Sequence, residues 1–345
     1  MKKAMSDQFN WIFVIIAGAV ILLFFFSMIQ KQQSLSIAKT DASIVRQIET
    51  LLSVAGSLKE TISTKDLPNI DLTFQCKKRG TSCDCTYKSG TMDRSYDDKI
   101  IYAPKKITGT QLHLWTHTWE QPFRVANFLY ITNDRHQYII VTNNQPIAND
   151  IKKIIPERIN VKYVTDLNGL NTVVNPSSES VNVLCISSGQ NTCTQIPAIF
   201  SNLKIQKSWI IRNSETELLI NNANNKFSYI GIPQLLGALF SADMEMFECN
   251  TMKSFDRLTS IAEVQEKRIT NLNTALASTR QVCSGIYVYQ NVATNLGKIK
   301  TAANILRTSI SSIIASTQIG IIKNAYDPIK ITNDKLIVQS CPLIY

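Results

Sequence analysis

Two of the chain's three histidines, His113 and His117, stand four residues apart in QLHLWTHTW beside Glu120, and the third, His136, lies downstream. On a helix this spacing sets both imidazoles one turn apart, close enough to share a Zn²⁺ ion. On a strand it sets them on one face with Trp115 and Trp119. The surrounding residues are β-forming, so a strand is expected. His113, Trp115, His117 and Trp119 then make an imidazole–indole face suited to contacting a carbohydrate or a peptide. A zincin site needs Glu directly after its first His, where Leu114 stands, so no metal site is expected.

Cysteine offers a second chemistry. Eight thiols, Cys76, Cys83, Cys85, Cys185, Cys193, Cys249, Cys283 and Cys341, all follow the first seventy residues. Cys83-Asp84-Cys85 lacks the two-residue spacing and the second pair of a zinc finger, which leaves structural disulfides as the expectation. Cys185 and Cys193 flank SSGQNT, a turn-forming run that brings them within bridging reach. Cys249 and Cys283 are separated by what reads as continuous helix of ~51 Å and should not bridge. Cys249 is matched instead with Cys341, and partners among Cys76, Cys83, Cys85 and Cys283 stay open. GxGxxG, Walker P-loop and GxSxG motifs are absent, so no cofactor is expected and no catalytic residue is assigned. Asp134 and Asp166 follow β-like segments, where α/β enzymes often place acids, but Asp is equally a turn residue.

The elements that must position these residues form an α+β chain. Residues 31–66 carry Ile37, Ile44, Ile48, Leu51, Ala55, Leu58 and Ile62 at 3/4 spacing, with Asp41 at one stripe position. The stripe reads as an amphipathic stalk helix of ~39 Å. Residues 67–240 form an α/β module with a mixed sheet: strands at 111–119, 136–143 and 160–164, helices at 122–131 and 147–155, then an antiparallel meander from 181 to 232 with a turn at Asn224-Asn225. Within it, the apolar stretch from Tyr229 to Phe240 is expected to dock the module on the helices that follow. Residues 241–325 carry two further stripes, 255–276 and 292–313, broken near Ser284-Gly285, and should fold as a helical hairpin. The three stripes match in length, so the hairpin and the stalk are expected to pack as a three-helix bundle; a coiled coil between two stalks is the alternative. Residues 326–345 read as a β-hairpin tail centred on Asn333-Asp334.

Residues 1–10 are a short polar leader, and 11–30 hold the nineteen uncharged residues from Trp11 to Ile29. At ~1.5 Å per residue these reach ~28 Å, enough to cross a hydrocarbon core. The lysines on the two sides nearly balance, but the cysteines all lie after the span, which favours a cytoplasmic N-terminus and an extracytoplasmic body. Lys2-Lys3-Ala4-Met5-Ser6-Asp7 followed by the apolar run resembles the class III signal peptides of archaeal type IV pilin-like proteins. The resemblance implies cleavage after Ala4 and an apolar helix kept as anchor or filament core. It departs from the pilin pattern at Phe9, which takes the fifth place of the cleaved chain, where pilins carry Glu.

The net charge of +10 is spread without a run of five like charges. Such a surface suits the lipid bilayer, acidic surface polymers or other envelope proteins as partners, not nucleic acid, which selects a concentrated basic stripe. The sequence thus reads as a single-pass cell-envelope protein with a non-enzymatic binding or scaffolding role. A pilin-like filament component and a membrane-tethered enzyme are the alternatives.

Overall fold

The structure, a computed structural model, describes all residues except 1, 58–59, 187–192, 194–197, 203–205, 213, 222–225, 280, 290, 309 and 312–313. The expected turns at SSGQNT and Asn224-Asn225 and the stripe positions Leu58 and Ile313 lie outside the described residues.

Helix α1 (Lys2–Ser57) is continuous over 56 residues, ~84 Å at ~1.5 Å per residue. Its two halves meet different surroundings. The segment Ile15–Gln33 is long and apolar enough to cross a membrane, and none of it is buried. Farther along, Ile44, Val45, Ile48, Leu52 and Ala55 are buried and share a core with the first sheet. The stalk ends earlier than its stripe implied. Gly56 is a poor helix former, the Asn127 side chain donates to its carbonyl oxygen at 3.1 Å, and Ile62 opens a strand instead.

That first sheet comprises β1 (Ile62–Arg79), β2 (Ser82–Ser89), β3 (Met92–Ser95), β4 (Ile100–Tyr102), β5 (Lys106–Glu120) and β6 (Arg124–Thr132), in the order β3-β2-β1-β5-β6-β4. All neighbours are antiparallel except β4 and β6. One face, with Leu112, Leu114, Leu129 and Ile131, packs under α1; the other, with Trp115, Trp119, Phe128 and Tyr130, faces the rest of the molecule. Residues 122–131, expected as helix, are therefore mostly β6. The strand is buried on both faces, which hides the polar alternation that marks a half-exposed strand.

A second sheet follows: β7 (His136–Thr142), α2 (Gln145–Ile154), β8 (Val161–Val164), α3 (Leu170–Val173), β9 (Ser180–Ile186), α4 (Ala198–Ser201), β10 (Gln206–Arg212), β11 (Glu217–Ile220) and β12 (Phe227–Ser228), with strand order β12-β11-β10-β9-β7-β8. The pairs β7–β8, β7–β9 and β9–β10 are parallel, so the expected meander is confined to β10–β11–β12. Helical connections turn β9 and β10 the same way, and their apolar runs reflect cover on both faces.

Helix α5 (Gly231–Phe240) is inserted between the two sheets, with Leu235, Leu236, Leu239 and Phe240 in the central core. Its approach to the first sheet depends on Gly237, where an added Cβ would stand 2.5 Å from the Tyr102 ring. The chain closes through α6 (Met244–Leu276), α7 (Gln281–Tyr289), α8 (Val292–Leu306) and α9 (Ala315–Val338). The hairpin break falls beyond Leu276 and at Asn291, which adopts φ 49°, while Ser284 and Gly285 sit inside α7.

Two expectations are corrected here. The helix that packs on α8 across from α6 is α9, whereas α1 lies on the first sheet. The tail at 326–338 is helix and not hairpin, because Ile319, Ile322, Ala325, Ile329, Thr332 and Leu336 bury a 3/4 stripe. Asn333, expected at a turn, holds the end of the chain by accepting from the Ile344 amide at 2.9 Å.

Candidate functional site

β5 carries His113, Trp115, His117 and Trp119 at alternate positions, but they do not form one open face. Trp115 is 2% exposed and Trp119 1%. Trp115 stacks on Tyr130 with centroids 4.8 Å apart and meets Phe240 edge-on. Trp119 stacks on Phe128, and its Nε1 donates to the Ile230 carbonyl oxygen at 3.2 Å. The expected aromatic contact face is core, because α5 and α6 cover it. His113 is buried between Asp134 Oδ1, 2.8 Å from Nε2, and Thr64 Oγ1, 3.1 Å from Nδ1. His117 stands 3.8 Å from Glu60; burial lowers its pKa against the pull of Glu60 and Glu120. Four residues of strand separate the two imidazoles by ~13 Å, too far to share an ion. Among the described residues no cluster of three or more His, Cys, Asp or Glu could hold a metal.

His136 enters a network that sequence reasoning missed. Its Nδ1 lies 2.7 Å from Ser180 Oγ and its Nε2 3.7 Å from Glu179 Oε2. Glu179 accepts from Thr108 Oγ1 and from Arg135 Nη1. Ser, His and Glu in this order are the parts of a hydrolytic triad, yet Ser180 and His136 are each 1% exposed, so no substrate carbonyl can reach them. The network fastens the β6–β7 turn to β9. Burial pushes His136 down to about 4, with Glu179 and the Lys106 backbone pulling the other way.

All eight cysteines are paired: Cys76–Cys85, Cys83–Cys249, Cys185–Cys193 and Cys283–Cys341. Cys249 is joined to Cys83, which corrects its expected match with Cys341. The first turns of α6 lie against β1 and β2, where Lys78 Nζ is 2.6 Å from Glu248 and the Lys78 amide donates to Glu245. Cys341 is carried past that point by the helical tail and closes on α7. Ala4, the expected cleavage position, lies within α1.

Clefts on the body differ in what they leave open. A small one of about 210 Å³ borders Trp115 and His117 together with Glu60 and Lys153. A wider one of about 680 Å³ borders the Cys83–Cys249 bridge. There Lys253, pushed down to about 8 by burial, donates to the carbonyl oxygens of Tyr96 at 3.4 Å and Lys99 at 3.3 Å. Arg257 donates to the Asp98 carbonyl oxygen and Arg307 to Asp256. These cations are engaged by the protein's own oxygens and read as struts.

The third cleft, about 480 Å³, lies at the carboxyl edge of the second sheet. Arg212 ends β10, Ile147 lies in the first turn of α2, Gly231 and Ile232 open α5, and Lys323, Tyr326 and Asp327 come from α9. Open α/β sheets bind ligands beyond the carboxyl ends of their strands, where strand order reverses; here β8 and β9 flank β7 on opposite sides. The volume falls in the ~300–1,000 Å³ range of small-molecule sites. Arg212 Nε donates to the Tyr229 hydroxyl at 2.8 Å, which donates to the Ser214 carbonyl oxygen at 2.9 Å. Burial raises the pKa of that phenol and keeps it neutral. Lys323 stands 3.7 Å from Glu215, which is 81% exposed at the rim. The lining is drawn from segments between Glu120 and Asp327, so no local motif announces it. Comparison of the chain with protein-family models, curated proteins and solved structures finds no match.

Proposed function

We propose that the chain is a single-pass membrane protein of the cell envelope, with its N-terminus in the cytoplasm and a non-enzymatic binding or scaffolding body outside. The observation that carries this reading is the division of α1: an apolar half with nothing buried runs without interruption into a half packed on the first sheet. A helix built this way holds the body at a fixed attitude to the bilayer instead of tethering it loosely. Outward orientation is supported by the four disulfides, all in the part that follows the span. A binding role is supported by the cleft at the carboxyl edge. Alkaline carbonate extraction tests the attachment: the full chain stays with the membranes, and a chain lacking residues 1–33 moves to the supernatant. Release of the full chain by carbonate contradicts the reading.

A second reading, a pilin-like filament component, is favoured by the same division of α1 together with the Lys2-Lys3-Ala4 leader. Its signature is a mature N-terminus at Met5 by mass spectrometry, with polymers visible by electron microscopy.

A further inference from the structure

We infer that the cleft at the carboxyl edge of the second sheet takes a zwitterionic peptide of about two residues with apolar side chains. The inference rests on the binding role proposed above and names the ligand class. The cleft's lining carries charges of both signs. Arg212 bonds Tyr229 and Lys323 faces Glu215 at the rim, while Glu120 and Asp327 add two carboxylates to the same lining, Asp327 one turn beyond Lys323 on α9.

Lys323 and Asp327 are one turn apart on α9, ~6 Å along its axis and on one side of the helix. The terminal ammonium and carboxylate of an extended dipeptide are ~7 Å apart, within reach of both side chains. Ile147, Ile232 and Leu235 supply an apolar wall. The Lys323–Glu215 pair is no obstacle, since a pair with so exposed a carboxylate holds its lysine weakly.

Other ligand classes fit less well. Three carboxylates against two cations disfavour a phosphate ester. A sugar is held best by broad aromatic stacking, and the lining offers one half-exposed ring, Tyr326, since Tyr229 is 2% exposed and its hydroxyl is used twice.

Isothermal titration calorimetry on the full chain in lipid nanodiscs tests this with four probes: L-leucyl-L-leucine, its N-acetyl derivative, its C-terminal amide, and cellobiose. The free dipeptide is expected to saturate, and either blocked form to bind about tenfold or more weakly, the loss of one charge-assisted contact. Lys323→Gln is expected to weaken the free dipeptide about tenfold while leaving the amide unchanged; Asp327→Asn does the same with respect to the N-acetyl form. The blocked peptides test the point on the unaltered chain, whatever the variants do to folding. Equal binding of blocked and free peptide, binding of cellobiose alone, or no heat with any probe each overturns the inference. None of these outcomes touches membrane attachment, which carbonate extraction reads separately.

Discussion

His136 is held neutral inside the fold, with a consequence for acid stability. Above pH 6.5 the folded and unfolded chains both carry it uncharged. Between that value and the folded value of about 4 the unfolded chain binds a proton that the folded chain refuses. Stability therefore falls as pH drops from about 6.5 to about 4, by about 3 kcal/mol from this group. His136→Gln removes the titration, and melting temperature followed against pH should show a shallower fall across that window. Gly237→Ala acts by crowding, since the new methyl meets the buried Tyr102 ring; about 1–3 kcal/mol of destabilisation is expected in thermal melts. At this scale the sequence exposed residue types but not their neighbours. The parity of Trp115 and Trp119 on a strand is legible, while the helix that covers them lies more than a hundred residues away. The lining of the carboxyl-edge cleft is invisible for the same reason.

Among the elements, legibility followed the strength of the local signal and not exposure, since β7 is buried throughout and is still read as a strand. β7 and α2 carry clear runs or caps, such as the Asn144 side chain accepting from the Ile147 amide. β6 has cover on both faces, and its Ala-Asn-Phe-Leu-Tyr-Ile run shows no period-2 signal. In α9, Pro328 and Asn333-Asp334 are breakers by local propensity, yet the buried isoleucine stripe prevails, as tertiary packing overrides such preferences. The disulfides link elements that the sequence separates. Cys83–Cys249 closes 166 residues and Cys185–Cys193 closes 8. Chain-entropy reasoning assigns them about 5 and about 2.5 kcal/mol. Replacing the first pair by Ser should lower the denaturant midpoint, read by tryptophan fluorescence, more than replacing the second.

At the scale of the molecule, the apolar span was evident from nineteen uncharged residues, but the partner of the stalk was not. A stripe of matched length says that a helix needs cover, not which surface provides it. Here the first sheet covers α1, and α9 packs on α8 of the hairpin in its stead. A continuous α1 rooted in the body means that sidedness of the body and direction of the span are one question. Labelling of intact cells with a membrane-impermeant amine reagent, read by peptide mass spectrometry, answers it through exposed body lysines such as Lys153 and Lys267, whose side chains are 74% and 73% accessible. Both are expected to be modified before the membrane is opened; modification only after permeabilisation would place the body inside and overturn the outward orientation.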